Sequence, residues 1–214
     1  MNKFNTPLGE IKVKVLGHAS ILIEWNGKHI YSDPYSEVCS FAGMPKADLV
    51  LITHNHYDHY DPEALNEILA PQTVVVTDPG TGKVDKRYFP LAYSEKFEYE
   101  GMEITAIPAY NILRFNEEGN HFHPKGFGNG YILSFGGFRL YIAGDTECTQ
   151  EMKALRDIDI AFLPKNLPYT MKDEEFIEAA NILMPRYLFP IHYFELDAAK
   201  LREGVDSRIE LITE

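Results

Sequence analysis

Apolar and β-branched residues come in short runs through the first half of the chain, the spacing of strands rather than of long helices. Residues 10–16, 19–25 and 28–32 read as three strands, with Asn26 and Gly27 at the turn that a tight hairpin prefers. Residues 47–53 form a continuous apolar run rich in Leu, Val and Ile, which suits a strand buried on both faces. Asp61 and Pro62 then predict a helix start, with Ala64, Leu65, Ile68 and Leu69 at helical spacing behind them. A β-branched strand over 73–77 and two more strands within 96–108 follow. Residues 130–135 and 138–143 read as a hairpin about Gly136 and Gly137. The remainder predicts a buried strand over 158–164, a helix over 173–184 capped at Thr170, a strand over 187–191, a short helix and a last strand over 208–213.

Both halves follow one plan, in which several strands precede strand-helix units and polar residues gather where buried strands end. An α/β protein with sheets packed between outer helices fits this order. The 214 residues, 45% hydrophobic and 24% charged, suit one compact domain over 1–214. The start of the chain shows no leader pattern and no run reaches transmembrane length, so no membrane partner is expected. Two cysteines, Cys39 and Cys148, far apart and outside any paired spacing, argue against a disulfide scaffold and for a cytoplasmic protein. A net charge of −12 disfavours sequence-independent binding to nucleic acid, which relies on Lys and Arg.

The chemistry concentrates at His54, His56, Asp58 and His59, which leave the apolar strand 47–53 within a few residues of each other. Imidazole nitrogens and carboxylate oxygens at this density are the donors that zinc takes. A strand-to-helix loop can turn alternate residues toward one ion and the following pair toward another. Asp33, followed by Pro34, is a turn former or an acceptor that orients an imidazole. His18, at the end of the first predicted strand, is a core histidine, an orienting group or a substrate contact, and the sequence leaves these open.

The His54-x-His56-x-Asp58-His59 segment after an apolar strand resembles the motif of the metallo-β-lactamase superfamily. Ser32-Asp33-Pro34, Ala143-Gly144-Asp145-Thr146 and Pro190-Ile191-His192 fall in that superfamily's order, so the resemblance covers nearly the full length. Gly17-His18-Ala19-Ser20, Pro108-Ala109-Tyr110-Asn111 and His123-Pro124-Lys125 resemble its compact branch of ascorbate-6-phosphate lactonase-like proteins. The resemblance implies a four-layer αβ/βα sandwich. It further implies two divalent ions, zinc by default with manganese or iron as alternatives. His54 and His56 would bind the first, Asp58, His59 and His192 the second, and Asp145 would bridge them. A water held between such ions has its pKa lowered from near 16 toward about 7, and Asp58 would orient that nucleophile or accept its proton. The third ligand of the first ion departs from the pattern, since Asn111 stands where many members have His. His123 is the expected substitute, with His121 and then Asn111 as the other choices, and Asn111 is otherwise an orienting group or a substrate contact.

The expected function is hydrolysis of a small-molecule lactone, ester or phosphodiester, with an anionic sugar derivative suggested by the lactonase-like resemblance. A nucleic-acid phosphodiesterase and a non-catalytic metal-binding regulatory protein are the alternatives. Lys165 after the strand 158–164, with Arg114 and Lys125 beside the loop 111–123, are candidates to attract a phosphate or carboxylate. Tyr110, Tyr169 and Tyr193 are candidate donors to a developing oxyanion.

Overall fold

The computed structural model describes residues 1–213 and resolves two compact units, Met1–Ala92 and Tyr93–Glu214. Each unit carries a seven-stranded sheet. In the first, β1 (Asn2–Thr6), β2 (Gly9–Gly17), β3 (Ser20–Trp25) and β4 (Lys28–Ser32) form an antiparallel meander. Then β5 (Leu49–Leu51), β6 (Val74–Thr77) and β7 (Tyr88–Pro90) add in parallel, with helix α1 (Pro62–Ile68) between β5 and β6. Asn26 and Gly27 take φ of 48° and 77°, the left-handed pair that the β3–β4 hairpin requires. All three residues of β5 are buried, as its unbroken apolar run demands. Ala64, Leu65 and Ile68 of α1 pack on Tyr31, Val50 and Val75, which covers one face of this sheet.

The second unit repeats the plan. An antiparallel meander of β8 (Lys96–Tyr99), β9 (Met102–Ala109), β10 (Gly128–Phe135) and β11 (Phe138–Ile142) is extended in parallel by β12 (Ile160–Pro164), β13 (Tyr187–Ile191) and β14 (Glu210–Leu211). Three helices accompany it, α2 (Gln150–Ala154), α3 (Asp173–Leu183) and α4 (Ala198–Gly204). Phe176, Ala180 and Leu183 of α3 pack with Ala161, Leu163 and Leu188 of the parallel strands. No helix among the described residues is long and apolar enough to cross a membrane.

Three elements escape the sequence reading, and the cap of a fourth departs from it. Strand β1 has one buried side chain, Phe4, and joins the sheet edge through backbone pairing with β2, so it leaves no apolar period to detect. The short β7 and α2 escape for the same reason, since α2 buries Met152 alone. Thr170 does not cap α3, whose N-cap position is Lys172. The Glu175 carboxylate accepts from the Lys172 backbone N–H at 3.0 Å, while the Thr170 hydroxyl oxygen accepts from the Asn166 N–H at 2.8 Å.

Candidate metal centre

In the first unit the polar residues of interest sit where strands end. His18 follows β2, Asp33 follows β4, and His54 to His59 follow β5. His18 and Asp33 adopt φ of 50° and 43°, left-handed conformations that non-glycine residues hold only when their surroundings fix them. Each turns the chain sharply at the strand end.

Asp33 is buried and organises the cluster. Its Oδ1 accepts from the Thr53 backbone N–H at 2.8 Å and its Oδ2 from the Thr53 hydroxyl at 2.7 Å. The same Oδ2 accepts from His59 Nδ1 at 2.9 Å. Because the Thr53 hydroxyl donates to Asp33, its oxygen is left to accept from His54 Nδ1 at 3.1 Å. Both imidazoles therefore carry the proton on Nδ1 and present Nε2 as the donor atom. His54 Nε2 lies 3.0 Å from His56 Nδ1, the two rings edge to face. His18 Nε2 lies 3.0 Å from Asp58 Oδ2, and His18, Asp58 and His59 each offer a ligand atom within 4.8 Å of the others.

The second unit brings together Asn111, His123, Asp145 and His192, all buried. Asp145 lies beyond the end of β11, and His192 follows β13 at φ 57°. Asp145 Oδ2 is 3.3 Å from His123 Nε2 and 3.1 Å from His192 Nε2, so one carboxylate oxygen faces two imidazole nitrogens. The Asn111 side-chain oxygen Oδ1 accepts from the His123 backbone N–H at 2.7 Å and from its Nδ1 at 3.0 Å. Asn111 thus supports His123 from behind. His121, the second choice for this position, bonds the Arg114 carbonyl through Nδ1 at 3.1 Å and stacks on Phe115.

The cationic candidates are engaged elsewhere. Lys165 Nζ pairs with Asp173 Oδ1 at 2.8 Å and lines a cavity of about 540 Å³ beside α3. Arg114 pairs with Glu175, and Lys125 pairs with Glu151 at 2.6 Å. The Tyr110 hydroxyl donates to Glu151 at 2.8 Å; burial and then that carboxylate raise its pKa.

A profile described as the beta-lactamase superfamily domain matches residues 12–192, a span that runs from before His18 to His192. The chain belongs to the β-lactamase superfamily. Its relatives in that superfamily include a metal-dependent hydrolase of Thermococcus onnurineus, 31% identical over an alignment of 227 positions that covers 94% of this chain and 95% of the relative. A metal-dependent hydrolase of Thermus thermophilus is 30% identical over 193 residues, covering 86% and 84%. The crystal structure of a protein assigned as a metal-dependent hydrolase from Parabacteroides distasonis matches with a TM-score of 0.91 at 37% identity, covering 99% of this chain and 96% of that one. The fold is the metallo-β-lactamase fold that the motif order implied.

Two supporting residues of this superfamily member went unnoticed in the sequence. Thr53 looked like the last residue of an apolar strand, yet its hydroxyl links Asp33 to His54. Glu147, buried two residues past Asp145, accepts from Asn111 Nδ2 at 3.3 Å and from the Leu113 N–H at 2.8 Å. An acid directly after Gly-Asp-Thr is the only signal the sequence offered for it.

Proposed function

We propose that this chain is a dinuclear metal-dependent hydrolase of small-molecule lactones, esters or phosphodiesters, in which the two units act as one domain. Asp145 carries the reading: one of its buried carboxylate oxygens faces both His123 Nε2 and His192 Nε2, which supports a role toward more than one ion. The donor set fits zinc, being imidazole nitrogen and carboxylate oxygen with orienting partners behind them. His54, His56 and His123 would hold one ion and Asp58, His59 and His192 the other, with Asp145 shared. Manganese or iron would suit the same donors. Bound divalent ions would supply Lewis acidity and lower the pKa of a water toward about 7.

The chain's own groups do the rest. Asp33 and Thr53 keep the protons of His59 and His54 on Nδ1, away from the ligand side. Asp58 would orient the attacking water or accept its proton, and His18 Nε2, 3.0 Å from Asp58 Oδ2, would hold that oxygen in place. His18 is accordingly a positioning group for Asp58. Cys39 and Cys148, both free thiols, support placement in a reducing compartment, the cytoplasm.

The substrate class is tested with metal-free and zinc-reconstituted protein on chromogenic esters, lactones and phosphodiesters, beside an Asp58→Ala control. Turnover that needs metal and falls by about 10²–10⁴-fold in the control is expected. Equal rates in the wild type and the control on every substrate would refute the hydrolase reading.

A further inference from the structure

Behind His123 lies a chain of hydrogen bonds that ends on a buried acid. Asn111 Nδ2 donates to the Tyr169 carbonyl at 2.8 Å and to Glu147 Oε1 at 3.3 Å. Both partners only accept, so the amide nitrogen must point that way. Its oxygen then faces the His123 backbone N–H at 2.7 Å, a group that only donates. The orientation of this amide is therefore fixed from both ends and does not depend on placed hydrogens. The Asn111 oxygen also meets His123 Nδ1 at 3.0 Å, which requires the imidazole proton to be on Nδ1. Nε2 is left to face Asp145.

Glu147 is the anchor. Its Oε2 accepts from the Leu113 N–H at 2.8 Å, and Oε1 faces both that N–H at 3.2 Å and the Asn111 amide. No Lys or Arg pairs with it among the described residues, although it is only 3% exposed. A buried carboxylate held by neutral N–H donors is costly to keep unless a positive charge nearby offsets it.

We infer that Glu147 and Asn111 form a relay that fixes the tautomer of His123 and adds a negative charge behind the first metal, a carboxylate–carboxamide–imidazole arrangement. This inference rests on the dinuclear reading only for its consequence on metal binding. The tautomer itself is a property of the protein. In the Glu147→Gln variant the Tyr169 carbonyl and the His123 N–H still orient the Asn111 amide, so His123 keeps its acceptor and the negative charge alone is lost. Removing the Asn111 amide takes the acceptor itself away. Glu147 and Asn111 are positioning residues.

The test is long-range ¹H–¹⁵N correlation on histidine-labelled protein, metal-free and zinc-loaded, with zinc affinity measured on the same samples. The wild type is expected to show the His123 proton on Nδ1 in both states. Asn111→Leu, which removes the acceptor, should lose that signal and bind zinc about 10–100-fold more weakly. Glu147→Gln, which removes the charge and leaves the amide held by the Tyr169 carbonyl and the His123 N–H, should keep the signal and bind zinc more weakly than the wild type. A wild-type His123 without a proton on Nδ1, an unchanged signal in folded Asn111→Leu, or wild-type zinc affinity in Glu147→Gln would overturn the relay. Should Asn111→Leu not fold, the wild-type spectrum and Glu147→Gln decide. A relay that behaves as expected in a wild type that takes up no metal would count against the dinuclear reading instead.

Discussion

Asp33 Oδ2 accepts from His59 Nδ1 at 2.9 Å, and both side chains are essentially without solvent exposure. One acid thereby sets the ring orientation of an imidazole on another loop, and through Thr53 it reaches His54 as well. Asp33→Ala should leave the Thr53 N–H and the His59 Nδ1–H buried without this acceptor. The expected cost is about 1–3 kcal/mol in urea unfolding, with metal affinity down by roughly 10–100-fold. Wild-type stability and metal binding together in Asp33→Ala would show that His59 is oriented by something else.

Asp61 couples stability to pH. Burial pushes its carboxyl up, but hydrogen bonds from the Ser36 hydroxyl and from the backbone N–H groups of Ser36, Glu63 and Ala64 outweigh that and hold it below its ordinary value. A depressed folded pKa contributes stability at pH values above the unfolded pKa of about 3.9, and this is lost as pH falls through the folded value. Asp61→Ala, which removes the N-cap of α1, should cost about 1 kcal/mol at neutral pH. The gap from wild type should narrow below about pH 4. A gap that is constant down to pH 2 would mean the carboxylate charge is irrelevant.

Gly130 leaves room that any side chain would fill. A Cβ there would lie 2.7 Å from the Ala143 carbonyl oxygen and 2.8 Å from that of Ile142, at the end of β11 that leads to Asp145. Gly130→Ala should destabilise by about 1–3 kcal/mol through overpacking. Metal binding should weaken with it as Asp145 shifts. A thermal midpoint equal to wild type would contradict the close approach.

Lys165 is a poor selector of anions by geometry. The cavity it lines also holds Lys172 and Lys200, balanced by Asp173, Glu174 and Glu195. Lys165→Met should therefore change KM by the same factor for a neutral and an anionic lactone. A selective rise in KM for the anionic substrate would restore the role that its place after a strand suggested.

Much of this was legible from the chain itself. The run over 47–53 announced β5 because a strand buried on both faces has no polar alternation, and the histidines that follow it are dense enough to stand out. Asp61 and Pro62 announced α1 through capping chemistry, with Ala64, Leu65, Ile68 and Leu69 at helical spacing behind them. Of the support around His123, the sequence named Asn111 as an orienting group or substrate contact but not the residue it supports. Asn111 and His123 are twelve residues apart in sequence, and the hydrogen bonds that make one the support of the other arise only when the loop closes on itself. Glu147 was hidden for a different reason. A glutamate is ordinarily exposed, and nothing local marks one that is buried. Strand β1 shows the same limit in the fold, since backbone pairing at a sheet edge places no demand on side-chain pattern.

Metal content per chain tests the dinuclear centre. Purified protein would be stripped with chelator, reconstituted with excess zinc, desalted and measured by inductively coupled plasma mass spectrometry. The wild type should hold about two ions per chain and Asp145→Ala fewer than about one, because a carboxylate that would serve both ions is lost. A wild type that holds one ion or none, or an Asp145→Ala variant that still holds two, would contradict the dinuclear reading.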